Sequence, residues 1–182
     1  AVSGERMEAL YVVSLYTGLR LGEALALRWD NVDLDQGMIH IRATLHYTPG
    51  GYRLAEPKSD RSVRSIAIGE TTVAALRRHR ARQSEEALLL GPAWRNDLEL
   101  VFTNRAGGPI NAENLRRGDF YPTLERAGLP RVRWHSLRHS FASLALGRGV
   151  PVVHVSAALG HAHSGVTHAV YAHALPGTER AA

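Results

Sequence analysis

Apolar positions recur at helical spacing from the start of the chain. Met7, Leu10, Tyr11, Val13, Ser14 and Leu15 supply a broad, mostly apolar face, and Ser3 stands where a helix-capping residue belongs. Gly18 interrupts that pattern, and Leu21 to Leu27 predicts a second short helix, so that Thr17-Gly18-Leu19-Arg20-Leu21-Gly22-Glu23 reads as a turn placing Arg20 at a helix start. The period then shortens to two. Met38 to Ala43, Tyr52 to Ala55 and Ser62 to Ile68 predict strands, separated by a Pro49-Gly50-Gly51 turn and a polar connection from Glu56 to Arg61. In the last of these strands Arg64, Ile66 and Ile68 share one side. Gly69 to Leu90 predicts a long helix with Val73, Leu76 and His79 inward and Arg77, Arg78, Arg80 and Arg82 outward. Leu100 to Thr103 is a short apolar extended piece, and Asn111 caps a helix that runs through Arg126 and ends at Gly128 and Pro130. A terminal helical stretch begins at Arg133 and is broken at Gly147, Gly149, Pro151, Gly160 and Gly165. The pattern therefore predicts one mostly α domain over residues 1–182 carrying a small antiparallel sheet of three strands, an α+β fold.

The final third concentrates groups capable of phosphate chemistry. His135 and Arg138, three residues apart, share a helix face; Leu159-Gly160-His161 and Thr167-His168-Ala169-Val170-Tyr171-Ala172-His173 follow. A guanidinium offers a planar fork of donors suited to phosphate, and an imidazole can donate or accept a proton near neutral pH. A tyrosine hydroxyl is a weak nucleophile until its proton is taken or its anion stabilised, and Tyr171 is the candidate for that role.

Composition narrows the partners. Lys+Arg exceed Asp+Glu by 22 to 17, giving a net charge of +5, which favours a polyanion. The excess is almost wholly arginine; Lys58 is the only lysine, so an ammonium that can give up a proton occurs at a single place. The absence of cysteine excludes disulfides, thiol nucleophiles and Cys-based zinc sites. No apolar run reaches the length of a membrane span, and no signal segment opens the chain, which gives the expectation of a cytoplasmic protein. Histidines 135, 139, 161, 163, 168 and 173 would suit a metal, but no acidic residue lies among them and Arg138 would repel a cation. Neither a metal nor a cofactor is expected. His139 and His168 read as packing or surface residues.

Taken in order, the Thr17–Glu23 turn, the Pro57-Lys58-Ser59 segment with Arg64, His-x-x-Arg, Leu-Gly-His and the final Tyr-x-His resemble the tyrosine recombinases, or phage integrases, over residues 11–173. The resemblance implies the catalytic-domain fold of that family. It assigns Arg20 and Arg138 as phosphate-binding arginines and Glu23 as a supporting carboxylate that holds the site. Lys58 becomes the acid for the leaving 5′ oxygen, His135 a proton-handling or phosphate-bonding group, His161 a further phosphate donor, Tyr171 the nucleophile and His173 a supporting residue. It further implies double-stranded DNA as substrate, a tetramer on DNA for the full-length protein, an N-terminal clamp domain absent from this chain, and a monomer for this chain alone. Arg42, Arg53, Arg61, Arg116 and Arg117 are candidates for DNA-backbone contacts.

The expected chemistry is metal-independent transesterification through a 3′-phosphotyrosyl enzyme. Type IB topoisomerase-like relaxation and a non-catalytic DNA-binding module remain the alternatives. A metal-dependent nuclease would need a carboxylate cluster that this sequence lacks.

Overall fold

A computed structural model describes residues 3–56 and 62–161 and the single positions 165, 167 and 171. Lys58, Arg61, His163, His168 and His173 lie outside the described residues.

The first helix, α1 (Glu8–Thr17), buries Ala9, Leu10, Tyr11, Val13, Ser14 and Thr17. It starts later than the sequence suggests. Ser3 lies in a turn, and the Gly4 backbone N–H instead donates to the Glu8 carboxylate at 2.9 Å, which places an acid at the helix N-terminus. Helix α2 (Leu21–Leu25) follows directly. Strands β1 (Val32–Asp33), β2 (Met38–Ile41) and β5 (Arg64–Ala67) form an antiparallel sheet in the order β1-β2-β5, with Ile39 opposite both Val32 and Ile66. Strands β3 (Thr44–Thr48) and β4 (Gly51–Ala55) pair as a separate two-stranded hairpin.

The sheet thus has the expected three strands but a different third member. Val32–Asp33 takes the place that the pattern gave to Tyr52–Ala55, which pairs locally across the Pro49-Gly50 turn. The alternation reads correctly where one face is covered: Ile39, Ile41 and Ile66 are buried, while Ser65 and Ala67 are exposed. On the hairpin both faces stay partly wet, so the pattern carried no pairing information.

Helix α3 (Glu70–Leu90) lies against α1 and buries Thr72, Ala75, Leu76, His79 and Gln83, with Arg77, Arg78 and Arg80 exposed. His79 and Gln83 bond the Val101 carbonyl at 2.7 and 2.9 Å, which satisfies that acceptor inside the fully buried Leu100–Phe102 piece. The predicted helix from Asn111 is three pieces: α4 (Ala112–Leu115), a π turn at Arg116–Phe120, and α5 (Tyr121–Arg126). Pro122, which lacks a backbone N–H, sits in the first turn of the third piece. Asn111 does cap it, accepting from the N–H groups of Glu113 and Asn114 at 2.9 Å. Asn111→Ala should therefore cost about 1 kcal/mol, readable as a lower urea midpoint with an unchanged slope.

Helices α6 (His135–Gly147) and α7 (Val152–Leu159) complete the described elements. The main core runs from α1 through the sheet and α3 to Trp134. A second, smaller core joins Ala142, Leu146, Val155, Leu159 and Tyr171. Among the described residues no helix is long and apolar enough to cross a membrane.

Candidate active site

The site lies where the two cores meet, and helix ends build it. Helix α1 terminates at Gly18, whose φ of +64° is the left-handed conformation that glycine adopts freely. A Cβ there would come within 2.5 Å of Phe141 Cδ1 and 2.8 Å of Leu159 Cδ2, so the turn also lets α6 and α7 close on α1. Two residues later Arg20 stands at the N-cap of α2. Its backbone N–H donates to Glu23 Oε2 and its Nη1 to Glu23 Oε1, both at 2.9 Å. The Glu23 carboxylate, 4% exposed, also accepts from Arg64 Nη2 at 2.9 Å and Nη1 at 3.2 Å. One buried carboxylate thus orients two arginines. Arg20 keeps 44% of its side chain exposed, whereas Arg64 keeps 7%.

Helix α7 ends in a Schellman turn. Gly160, at φ +65°, donates to Ala157 O, and the His161 N–H donates to Ser156 O at 3.1 Å. Two carbonyls of the last turn remain, and each receives an arginine: Arg64 Nε donates to Ala158 O and Arg138 Nη2 to Leu159 O, both at 2.6 Å. Arg138 Nη1 donates to Gly18 O at 2.8 Å. The Arg138 guanidinium is therefore clamped between the C-terminal ends of α1 and α7, where the helix dipoles favour a cation. Burial, then the neighbouring Arg20 charge, lower its pKa to about 10, so it stays charged at neutral pH. Among the described residues two of its five N–H donors are in use, which leaves three for an incoming anion.

His161 Nδ1 sits 2.8 Å from the buried Thr167 hydroxyl. Burial, followed by the charges of Arg138, Arg20 and Arg64, pushes its pKa down to about 4, and it is neutral at pH 7. His135 shifts the same way, through burial, then His139, Arg138 and Arg20. A histidine whose folded pKa lies below its ordinary 6.5 contributes no penalty above that value and destabilises increasingly as pH falls toward 4. Urea midpoints should drop between pH 6.5 and 4, and His161→Gln should flatten that drop.

Tyr171 is 3% exposed, packed in the smaller core, with its hydroxyl 2.7 Å from His139 Nδ1. Burial raises its pKa and the nearby Arg138 charge opposes this, leaving a phenol rather than a phenolate at neutral pH.

The structure therefore brings together Arg20, Glu23, His135, Arg138, His161 and Tyr171. Two further residues join them. Arg64 was named with the Lys58 segment in the resemblance and placed on a strand but given no role in the site, although an arginine on the inward side of a strand is the signal that marks it. His139, read as a packing or surface residue, is exposed but meets the tyrosine hydroxyl. Arg42 and Arg53 are exposed on and beside the hairpin, while Arg116 and Arg117 both pair with Glu113 at the surface.

The phage integrase family model matches residues 2–177. The chain belongs to the phage integrase family. It is 35% identical to a tyrosine recombinase XerC-like protein of Caldanaerobacter subterraneus subsp. tengcongensis, over 97% of this chain and 48% of that protein. Among solved structures it resembles the Tn1549 transposon integrase in complex with circular intermediate DNA, at a TM-score of 0.74 and 22% identity, covering 91% of this chain and 55% of that one. It also resembles the catalytic domain of bacteriophage HP1 integrase, at 0.56 and 21%, covering 94% and 76%. At these identities the likeness establishes the fold, that of an integrase catalytic domain. The chain spans about half the length of the curated relatives it matches.

Proposed function

We propose that this chain is the catalytic domain of a site-specific DNA recombinase. Arg20, Arg138, His135 and His161 hold the non-bridging oxygens of one phosphodiester and stabilise charge on its pentacoordinate transition state. Tyr171 attacks phosphorus, and Lys58 protonates the departing 5′ oxygen. A 5′ hydroxyl from another strand then reverses the step, so the energy of the broken bond is kept in the protein–DNA link. Glu23 and Arg64 fix Arg20 and the end of α7 from behind, and His173 supports the nucleophile's segment. Backbone contacts fall to Arg42, Arg53, Arg61, Arg116 and Arg117. The DNA is double-stranded, the longer protein assembles as a tetramer on it, this chain alone is a monomer, and the setting is cytoplasmic.

One observation carries this reading. Arg20, Arg64 and Arg138 crowd two neutral histidines around a single buried carboxylate, which is electrostatic demand for an anion, beside a tyrosine hydroxyl. The integrase of the same fold solved with DNA supports the identity of that anion. The test is a denaturing gel of nicked duplexes, tiled over DNA flanking the gene, incubated with the protein in EDTA. A protein–DNA band that survives denaturation is expected; its absence on a duplex that the protein binds would refute the proposal.

A further inference from the structure

Tyr171 presents an unmet chemical need. Its hydroxyl carries a proton at neutral pH, and that proton must leave as the oxygen bonds to phosphorus. The group against it is His139. The Nδ1-to-hydroxyl distance is 2.7 Å and the ring centroids are 5.5 Å apart. His139 lies one turn beyond His135 on α6, and the two imidazoles meet edge-on at 4.7 Å. Between them in sequence, Arg138 turns inward and is buried, while His139 remains exposed to solvent. A tyrosine that is 3% exposed thus has its polar atom against an imidazole that solvent reaches.

We propose that His139 is a catalytic residue: it accepts the Tyr171 proton during attack on phosphorus and returns it when the phosphotyrosyl bond is broken. This rests on the DNA-cleavage reading above. In the forward step the Tyr171 proton passes to His139 Nδ1, the Tyr171 oxygen–phosphorus bond forms, and the bond from phosphorus to the 5′ oxygen breaks. That oxygen leaves with the bonding pair and takes a proton from an ammonium, the role given to Lys58. In the reverse step the incoming 5′ hydroxyl loses its proton to that amine, and the imidazolium of His139 protonates the leaving phenol. Each turn restores both groups, and no external oxidant, metal or nucleotide enters the balance. His135, edge-on to His139, is left free to face the phosphate.

The experiment measures single-turnover adduct formation on a nicked duplex by the wild type, His139→Ala and His139→Gln. Glutamine preserves a hydrogen-bond acceptor but cannot take a proton. Both variants should slow cleavage by about 10²–10⁴-fold. Added imidazole should restore part of the rate to His139→Ala, and a 5′-thio leaving group, which needs no acid, should not. A rate within about threefold of wild type in either variant overturns the assignment. So does a loss that imidazole leaves unchanged, which marks a structural role, or a loss repaired by the 5′-thio substrate, which marks the leaving-group acid. Wild-type protein giving no adduct on any duplex refutes the cleavage reading itself and this inference with it. A wild-type adduct with an unaffected variant refutes the inference alone. Thermal melting of each variant, expected to match wild type because His139 is exposed, accompanies the rates.

Discussion

Glu23→Ala should lower the stability of this protein by about 3–5 kcal/mol, because it removes one partner of a buried ion pair and leaves the other charge uncompensated. The stranded charge is Arg64, whose side chain is 7% exposed and which would keep, among the described residues, the backbone carbonyls of Ser62 and Ala158. For a chain of this size the loss corresponds to a fall in Tm of roughly 6–20 °C. Arg20 suffers less thermodynamically, since it is 44% exposed, but it loses both bonds that aim it. Cleavage should therefore fall further than the loss of folded protein explains, and a single-turnover rate well below the melting temperature separates the two effects. Glu23→Gln should lie between, retaining an acceptor while presenting an NH₂ group to arginine donors. The pH dependence has a definite sign. Burial alone would raise the Glu23 pKa, but the hydrogen bonds and charges of Arg64 and Arg20 outweigh it, and the net shift is downward. Its contribution is complete above the ordinary carboxylate value and is lost only as pH falls through the lowered one. That window lies below the one in which His161 destabilises, so wild-type acid unfolding should show a shallow early loss followed by a steeper one. Glu23→Ala should lose the later phase.

Much of this arrangement was legible in the sequence where a residue type was costly to place. Gly18 and Gly160 stand at helix ends with positive φ, and each brings an ionic or reactive neighbour into position: Arg20 two residues after the first, His161 directly after the second. Arg138 was legible as a guanidinium on a helix, but its role as a bolt between two helix ends was not. Its partners are the carbonyls of Gly18 and Leu159, and backbone acceptors carry no sequence signature. The Glu23–Arg64 pair failed for a related reason, since the two are 41 residues apart and each has a plausible local fate. The third strand was misassigned because two-residue β1 is too short to alternate, whereas the hairpin strands satisfy their hydrogen bonds locally whether or not a core covers them. His139 was missed because exposure on a helix ordinarily means solvent. Only the fold brings a tyrosine 32 residues away against it.

Tyr171→Phe should abolish the covalent protein–DNA band altogether. The bond to phosphorus is made by that hydroxyl, and phenylalanine offers no atom that can replace it. The substitution leaves the rest of the molecule nearly unchanged. The ring remains packed among Ala142, Leu146, Val155 and Leu159, and the lost hydrogen bond frees an exposed imidazole that water can satisfy, at a cost of about 1 kcal/mol or less. DNA binding should persist, because the guanidiniums that neutralise phosphate are untouched, and its steep dependence on salt should be the same as in wild type. A gel shift at low salt together with an empty lane under denaturing conditions is the expected pair of results. The comparison with His139→Ala is decisive in kind, since removing a proton acceptor slows bond formation while removing the nucleophile prevents it. A covalent band that persists in Tyr171→Phe would assign the attack to another residue, and with it the reading of Arg20, Arg138 and His161 as the clamp on the phosphate that Tyr171 attacks would have to be given up.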